Sequence, residues 1–183
     1  MLFNINFVNL GLLNLSIKQY SFELRDMKAE KFGSLPNGEV VYRVILSGYG
    51  LEVSILSYGA IIQDLRLKGH NYSLVLGFDK LEDYLEHSPY FGAIAGRCAN
   101  RIKNGHAELD GNLFELDRNY LKKHCLHGGS ESMGKSLWYI EKSDDLSATL
   151  NIEVPDGHMG FPGNLSAKVT YSLMPLGILD INI

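Results

Sequence analysis

The apolar residues of this chain recur mostly at every second position, a period typical of half-buried β-strands. One short stretch, residues 80–87 (KLEDYLEH), has helical spacing instead, and Pro89 would end that helix. Residues 103–117 are patterned as a β-hairpin around an Asp-Gly-Asn turn. The other predicted strands cover residues 40–47, 51–57, 61–67, 72–76, 137–142, 147–154, 165–173 and 178–183. The pattern predicts an all-β protein of short antiparallel strands, a β-sandwich or a related architecture.

Composition narrows the class of protein. With 183 residues, 45% of them apolar, the chain can build one domain with a sizeable core. A net charge of −4 gives no field that would attract nucleic acid or an anionic membrane, so neither is expected as a partner. Two cysteines, Cys98 and Cys125, are too few for a disulfide framework. We therefore expect reduced thiols and a cytoplasmic location.

The first 26 residues differ from the rest. Residues 1–17 are apolar but interrupted by four asparagines, and they lack the basic start and small-residue cleavage site of a secretory signal. They are also too short and too broken to span a membrane. Two interpretations stay open: residues 1–26 are an upstream extension with Met27 as the natural start, or they form an extra N-terminal strand or arm. Residues 27–183 are predicted to belong to a single sandwich domain.

Two polar clusters flank the predicted hairpin: Asn100-Arg101 before it and His127-Gly128-Gly129 after it. Asn and Arg offer several donors, and His offers a donor and an acceptor near neutral pH. A neutral, hydroxyl-rich ligand such as a sugar needs this mixture. The alternatives are structural: Arg101 could pair with the carboxylate of Glu115 or Asp117, and His127 could be an ordinary turn residue.

Other candidate residues favour structural roles. Arg97 is a second candidate for binding, but Gly96 beside it favours a role in a turn. His124 and His127 would need Cys98 or His106 to complete a metal site, and no metal is expected there. The aromatic residues that could stack on a sugar ring are each more consistent with the core: Tyr90, Trp138 and Phe161.

Seven motifs together resemble one family. They are SYGAIIQDL (57–65), LVLGFD (74–79), SPYFGAIAGR (88–97), GRCANRIKNG (96–105), CLHGG (125–129), SLW (136–138) and DGHMGFPGNL (156–165). In this order and spacing they are similar to the aldose 1-epimerases, or galactose mutarotases, over residues 32–173. The resemblance implies a β-sandwich of the mutarotase type, with sugar bound in a cleft on one sheet face. It also implies interconversion of the α and β anomers of aldohexoses such as galactose and glucose, by proton transfer without a metal or organic cofactor.

By the same resemblance, Asn100, Arg101 and His127 match the substrate-binding residues of the family. The family's catalytic histidine lies in an Asn-His-x-Tyr-Phe-Asn type motif, and its catalytic glutamate lies later; neither occurs in these 183 residues. No catalytic residue is therefore assigned here. We expect an apparently truncated sandwich that is inactive alone and self-associates through exposed strand edges. The alternative is a sugar-binding β-sandwich fragment or module without catalysis.

Overall fold

The computed structural model describes residues 28–87 and 90–183. Strands dominate these residues, in chain order: β1 (Ala29–Ser34), β2 (Val40–Gly48), β3 (Leu51–Leu56), β4 (Ile62–Leu67), β5 (Arg101–Ile102), β6 (His106–Leu109), β7 (Asn112–Glu115), β8 (Cys125–Leu126), β9 (Tyr139–Ser143), β10 (Ser147–Val154), β11 (Leu165–Met174) and β12 (Ile178–Asn182). A single α-helix among them, α1 (Leu81–His87), precedes β5. Short 3₁₀ turns cover Lys103–Gly105, Met133–Lys135 and His158–Gly160. The predicted extension or arm at residues 1–26 lies outside the described residues.

Two four-stranded antiparallel sheets form the body of the fold. One has the strand order β1-β2-β3-β4, and the other has the order β12-β11-β10-β9. Two smaller two-stranded sheets, β5-β8 and β6-β7, lie between them in the sequence. The predicted antiparallel β-sandwich is confirmed, as are the hairpin and the short helix. None of the described helices has both the length and the apolar character needed to span a bilayer.

The main core lies where apolar residues at alternate positions of the two sheets meet. Every second residue of β2 and β3 contributes to it, and so do those of β10 and β11, because alternate side chains of a strand share one face. On these four strands the largest buried residue is Tyr171, whose hydroxyl donates to the carbonyl of Ala60. The cluster also contains Val44, Leu46, Val53, Ile55, Leu150, Val169 and Leu173. Period two in the sequence therefore corresponds to one buried face per strand.

One predicted strand is wrong. Residues 72–76 (YSLVL) are apolar apart from Ser73, but they form no strand, and Tyr72, Leu74 and Leu76 are exposed. The amide of Leu74 donates to the carbonyl of Leu65, whereas the amide of Val75 donates to the hydroxyl of Ser73. A serine hydroxyl that accepts from a nearby backbone amide competes with the hydrogen bonds between neighbouring strands. The segment therefore only touches the edge of β4.

The first strand was not predicted. β1 pairs with β2 in antiparallel fashion, with an irregularity of register between Lys31 and Gly33. A glycine and a register shift interrupt the alternation that a strand prediction depends on. The two-residue strands β5 and β8 were also missed, because two residues carry no periodicity.

Candidate functional site

The pairing of β5 with β8 brings the three predicted binding residues together. Arg101 lies opposite Leu126 in this antiparallel pair, so Asn100 and His127 meet just beyond it. The amide of His127 donates to the carbonyl of Asn100 at 2.8 Å, and the amide of Asn100 donates to Nδ1 of the His127 ring at 3.0 Å. Residues 27 positions apart are thus joined by two hydrogen bonds.

Left-handed backbone conformations shape both sides of this contact. Asn100 has a φ of 60° and His127 a φ of 50°, and asparagine tolerates this region better than most residues do. Gly128 follows with a φ of 89°, and a Cβ at this position would lie 2.0 Å from the carbonyl oxygen of Gly96. Only glycine can make this close approach. The glycine after His127 therefore packs β8 against the segment that leads to Asn100.

The Arg101 guanidinium is held by neutral groups. Its Nη1 donates to Oδ1 of Asn100 at 2.9 Å, and its Cζ lies 4.5 Å from the centroid of the Tyr120 ring. Within the described parts of the chain, Arg101 forms no ion pair shorter than about 4 Å. The two carboxylates considered as its partners face other groups: Asp117 accepts from the amide of Ser130, and Glu115 lies 3.8 Å from His106. The charge of Arg101 is therefore left available at the surface.

His127 is held as a neutral imidazole. Because the Asn100 amide donates to Nδ1, that nitrogen carries no proton, and the proton of the neutral ring lies on Nε2. Burial, with the nearby positive charge of Arg101, lowers the pKa of His127 below its ordinary value of 6.5. At neutral pH the ring therefore presents one Nε2–H donor beside the donors of Arg101.

Tyr90 packs against this imidazole. The centroids of the two rings are 4.6 Å apart, and Nζ of Lys135 lies 5.1 Å from the Tyr90 ring. Burial raises the pKa of Tyr90, which stays a neutral phenol at physiological pH. The expectation that Tyr90 is a core residue is thus corrected, because it is only half-buried and borders the candidate site.

The arrangement offers a cationic fork, a neutral imidazole N–H and an amide on one surface. Such groups donate to hydroxyl and ether oxygens, which suits a polyhydroxylated ligand. Across residues 28–87 and 90–183, no three His, Cys, Asp or Glu side chains are grouped so that they could hold a metal ion. His124, considered as a metal ligand, instead accepts at Nδ1 from the amide of Asn104.

Comparison with known proteins identifies the family. A family model described as aldose 1-epimerase matches residues 43–182, which is most of the chain. The chain belongs to the aldose 1-epimerase family. The galactose mutarotases of Rattus norvegicus and Homo sapiens are each 40% identical to it over 146 residues, a span of 78% of this chain and 42% of theirs. The galactose 1-epimerase of Lactobacillus acidophilus superposes with a TM-score of 0.68 at 26% identity, over 79% of this chain and 43% of that one. The chain thus spans less than half the length of these relatives.

In this chain, Arg97 has a structural role. Its guanidinium donates to three backbone carbonyls, those of Val154, Pro155 and Pro162, at 2.9–3.0 Å. Val154 precedes the loop at 155–164, and the two prolines lie in it. The side chain of Met159, in the same loop, packs against Gly129. Arg97 therefore fastens the loop beside the site, in agreement with the structural interpretation rather than with ligand binding.

Sequence reasoning missed two residues around the candidate site. The side chain of Asn119 bonds both the amide and the carbonyl of Leu126, at 2.7 and 3.0 Å, and so completes β8. Tyr120 lies under Arg101. An Asn-Tyr pair in a polar loop carries no signal for either contact. By contrast, Trp138 and Phe161 are buried, as expected for core residues.

Proposed function

We propose that this chain provides the sugar-binding part of an aldose 1-epimerase that acts on aldohexoses such as galactose. Arg101 donates to hydroxyl oxygens of the sugar, and Nε2–H of the neutral His127 donates to an oxygen near the anomeric carbon. The observation that carries the proposal is the pair of hydrogen bonds between Asn100 and His127, which holds both donors side by side.

The proposed reaction is a proton transfer in which atoms balance without a cofactor. A base removes the proton of the anomeric hydroxyl, an acid protonates the ring oxygen, and the bond between the anomeric carbon and the ring oxygen breaks. The resulting aldehyde end rotates, and the ring closes on the other face. Arg101 would stabilise negative charge that develops on sugar oxygens during this process.

The acid and base are proposed to lie outside the 183 residues, which contain no Asn-His-x-Tyr-Phe-Asn stretch. We expect that the chain as given binds sugar but does not speed anomer exchange. A positioned acid and base each contribute a factor of about 100 or more, so their loss removes most of the rate. A location in the cytoplasm remains part of the proposal, and it is supported by two free cysteines, Cys98 and Cys125.

Binding can be tested by NMR titration of the chain with D-galactose. Arg101→Met and His127→Leu should each weaken binding by about ten-fold, because each removes a donor to the sugar, one of them charged. Arg66→Met and His87→Leu are matched controls on other elements and should leave affinity within about two-fold. Equal affinity for all five proteins would refute this site.

Turnover can be tested separately from binding. Pure α-galactose is mixed with the chain, and the appearance of the β anomer is followed by NMR. We expect the rate of the buffer alone. Acceleration well above buffer would contradict the proposed absence of the acid and base, whereas binding without turnover agrees with it.

A further inference from the structure

A tight turn at residues 120–124, here called the Tyr120 turn, lies next to the candidate site. The amide of Tyr120 donates to the carbonyl of His124 at 3.0 Å, and the amide of His124 donates back at 2.9 Å. Leu121 and Lys122 adopt left-handed conformations, with φ values of 53° and 52°. The turn is thus closed on itself by a reciprocal pair of backbone bonds.

Both strands of the site hold the Tyr120 turn in place. On one side, the side chain of Asn119 bonds the amide and the carbonyl of Leu126 in β8. On the other side, Nδ1 of His124 accepts from the amide of Asn104, at 3.0 Å, in the 3₁₀ turn that follows β5. The backbone that carries Tyr120 is therefore tied to both partners of the β5-β8 pair.

Two contacts then orient the guanidinium of Arg101. The Tyr120 ring lies 4.5 Å from Cζ, and Oδ1 of Asn100 accepts from Nη1 at 2.9 Å. Apart from this bond, the Arg101 side chain has no hydrogen bond to any residue in 28–87 or 90–183, so its other N–H groups remain for a ligand. An exposed arginine otherwise samples many rotamers, which a ligand would have to restrict on binding.

We infer that Tyr120 is a positioning residue that pre-orients Arg101 for the sugar without contacting the sugar itself. This inference rests on the proposed sugar-binding role of Arg101. The ring attracts the guanidinium through its π face, and this does not require the phenol hydroxyl. A phenylalanine at position 120 should therefore still orient Arg101, whereas a leucine should not.

The test of binding uses Tyr120→Phe and Tyr120→Leu in the full chain, titrated with D-galactose. Tyr120→Leu should weaken affinity about two- to five-fold, the range of an exposed cation–π contact. Tyr120→Phe should stay within experimental error of the unchanged chain. Tyr72→Leu, which removes a 62% exposed tyrosine from another segment, is the matched control and should have no effect. A loss with phenylalanine equal to that with leucine would overturn the inference.

A second measurement does not depend on sugar. Protons above an aromatic face are shifted upfield, so the Nε–H and Cδ protons of Arg101 should be shifted upfield in the unchanged chain and in Tyr120→Phe. In Tyr120→Leu they should move to the values of a free arginine. Absence of the shift in the unchanged chain would overturn the inference even if Tyr120→Leu does not fold. If galactose does not bind the unchanged chain, the proposed function fails, while this measurement still decides whether Tyr120 orients Arg101.

Discussion

Replacing Gly128 with alanine is expected to destabilise the fold strongly, because two separate constraints apply at this residue. Its φ of 89° is a conformation that alanine adopts only with strain, at about 1 kcal/mol or somewhat more. In addition, the new Cβ would lie 2.0 Å from the carbonyl oxygen of Gly96, 2.5 Å from its carbonyl carbon and 2.7 Å from the amide nitrogen of Arg97. All three neighbours are backbone atoms, so no side chain can turn away.

The size of the effect follows from this geometry. Contacts of a real Cβ lie beyond 3.0 Å, so the backbone at Gly96 must move by about 1 Å. That backbone leads into Arg97, whose three bonds to carbonyls oppose the movement. Overpacking of this kind costs about 1–3 kcal/mol. Together with the strain, Gly128→Ala should lower the free energy of unfolding by about 2–5 kcal/mol.

Two other glycines separate the constraints. Gly111 has a similar φ of 75°, but a Cβ added there would meet no atom within 4 Å, so Gly111→Ala should cost only the strain, about 1 kcal/mol. Gly129→Ala should be intermediate, because its Cβ would meet the flexible side chain of Met159. Urea unfolding followed by the fluorescence of Trp138, the single tryptophan and 1% exposed, measures all three. A Gly128→Ala loss no larger than that of Gly111→Ala would refute the reasoning.

Three further predictions follow from named contacts. His127 should titrate below 6.5 by NMR, and Arg101→Gln should move its pKa upward. Because the unfolded chain then binds more protons than the folded chain, the free energy of unfolding should fall as pH drops from 6.5 through the lowered pKa of His127. A His127 titration at or above 6.5 would contradict this. Arg97→Lys should lower the free energy of unfolding by about 1–3 kcal/mol, because one ammonium group cannot donate to all three carbonyls that Arg97 contacts. An unchanged midpoint of urea unfolding would contradict a stabilising role of these three bonds. Self-association remains a prediction: Ile181→Lys on β12, where Ile181 is 43% exposed, should shift sedimentation towards the monomer, whereas Thr170→Lys on the neighbouring β11 should not.

The alternation of apolar residues predicted most of the fold because burial in a two-layer sheet is a local property. Each of β2, β3, β10 and β11 places every second side chain in one core, and their sequences record this directly. The prediction failed at residues 72–76, which are mostly apolar and yet leave Tyr72, Leu74 and Leu76 exposed. An apolar segment can form a strand, but its sequence does not show that a neighbouring strand is available to pair with it.

Asn100, Arg101 and His127 could be chosen in advance because their motifs resemble those of a known family. Their mutual contacts could not be predicted, because each depends on residues distant in the chain. Arg97 reaches Pro162, 65 positions away, and Arg101, for which a carboxylate partner was one alternative, lies over Tyr120. No pattern of neighbouring residues indicates which aromatic ring will lie under a particular arginine.

The sequence by itself determined the class of fold, the positions of the main strands and the identity of the candidate binding residues, since these depend on local hydrophobicity and on motifs. Only the tertiary structure decided that β5 and β8 pair, that Nδ1 of His127 accepts from Asn100, and that Tyr120 supports Arg101. These contacts depend on left-handed turns and on close backbone approaches, such as that of Gly128 to Gly96. Such approaches arise only when separate segments pack together. Their free energy depends on distances between atoms of different segments, and the sequence of one segment does not specify those distances.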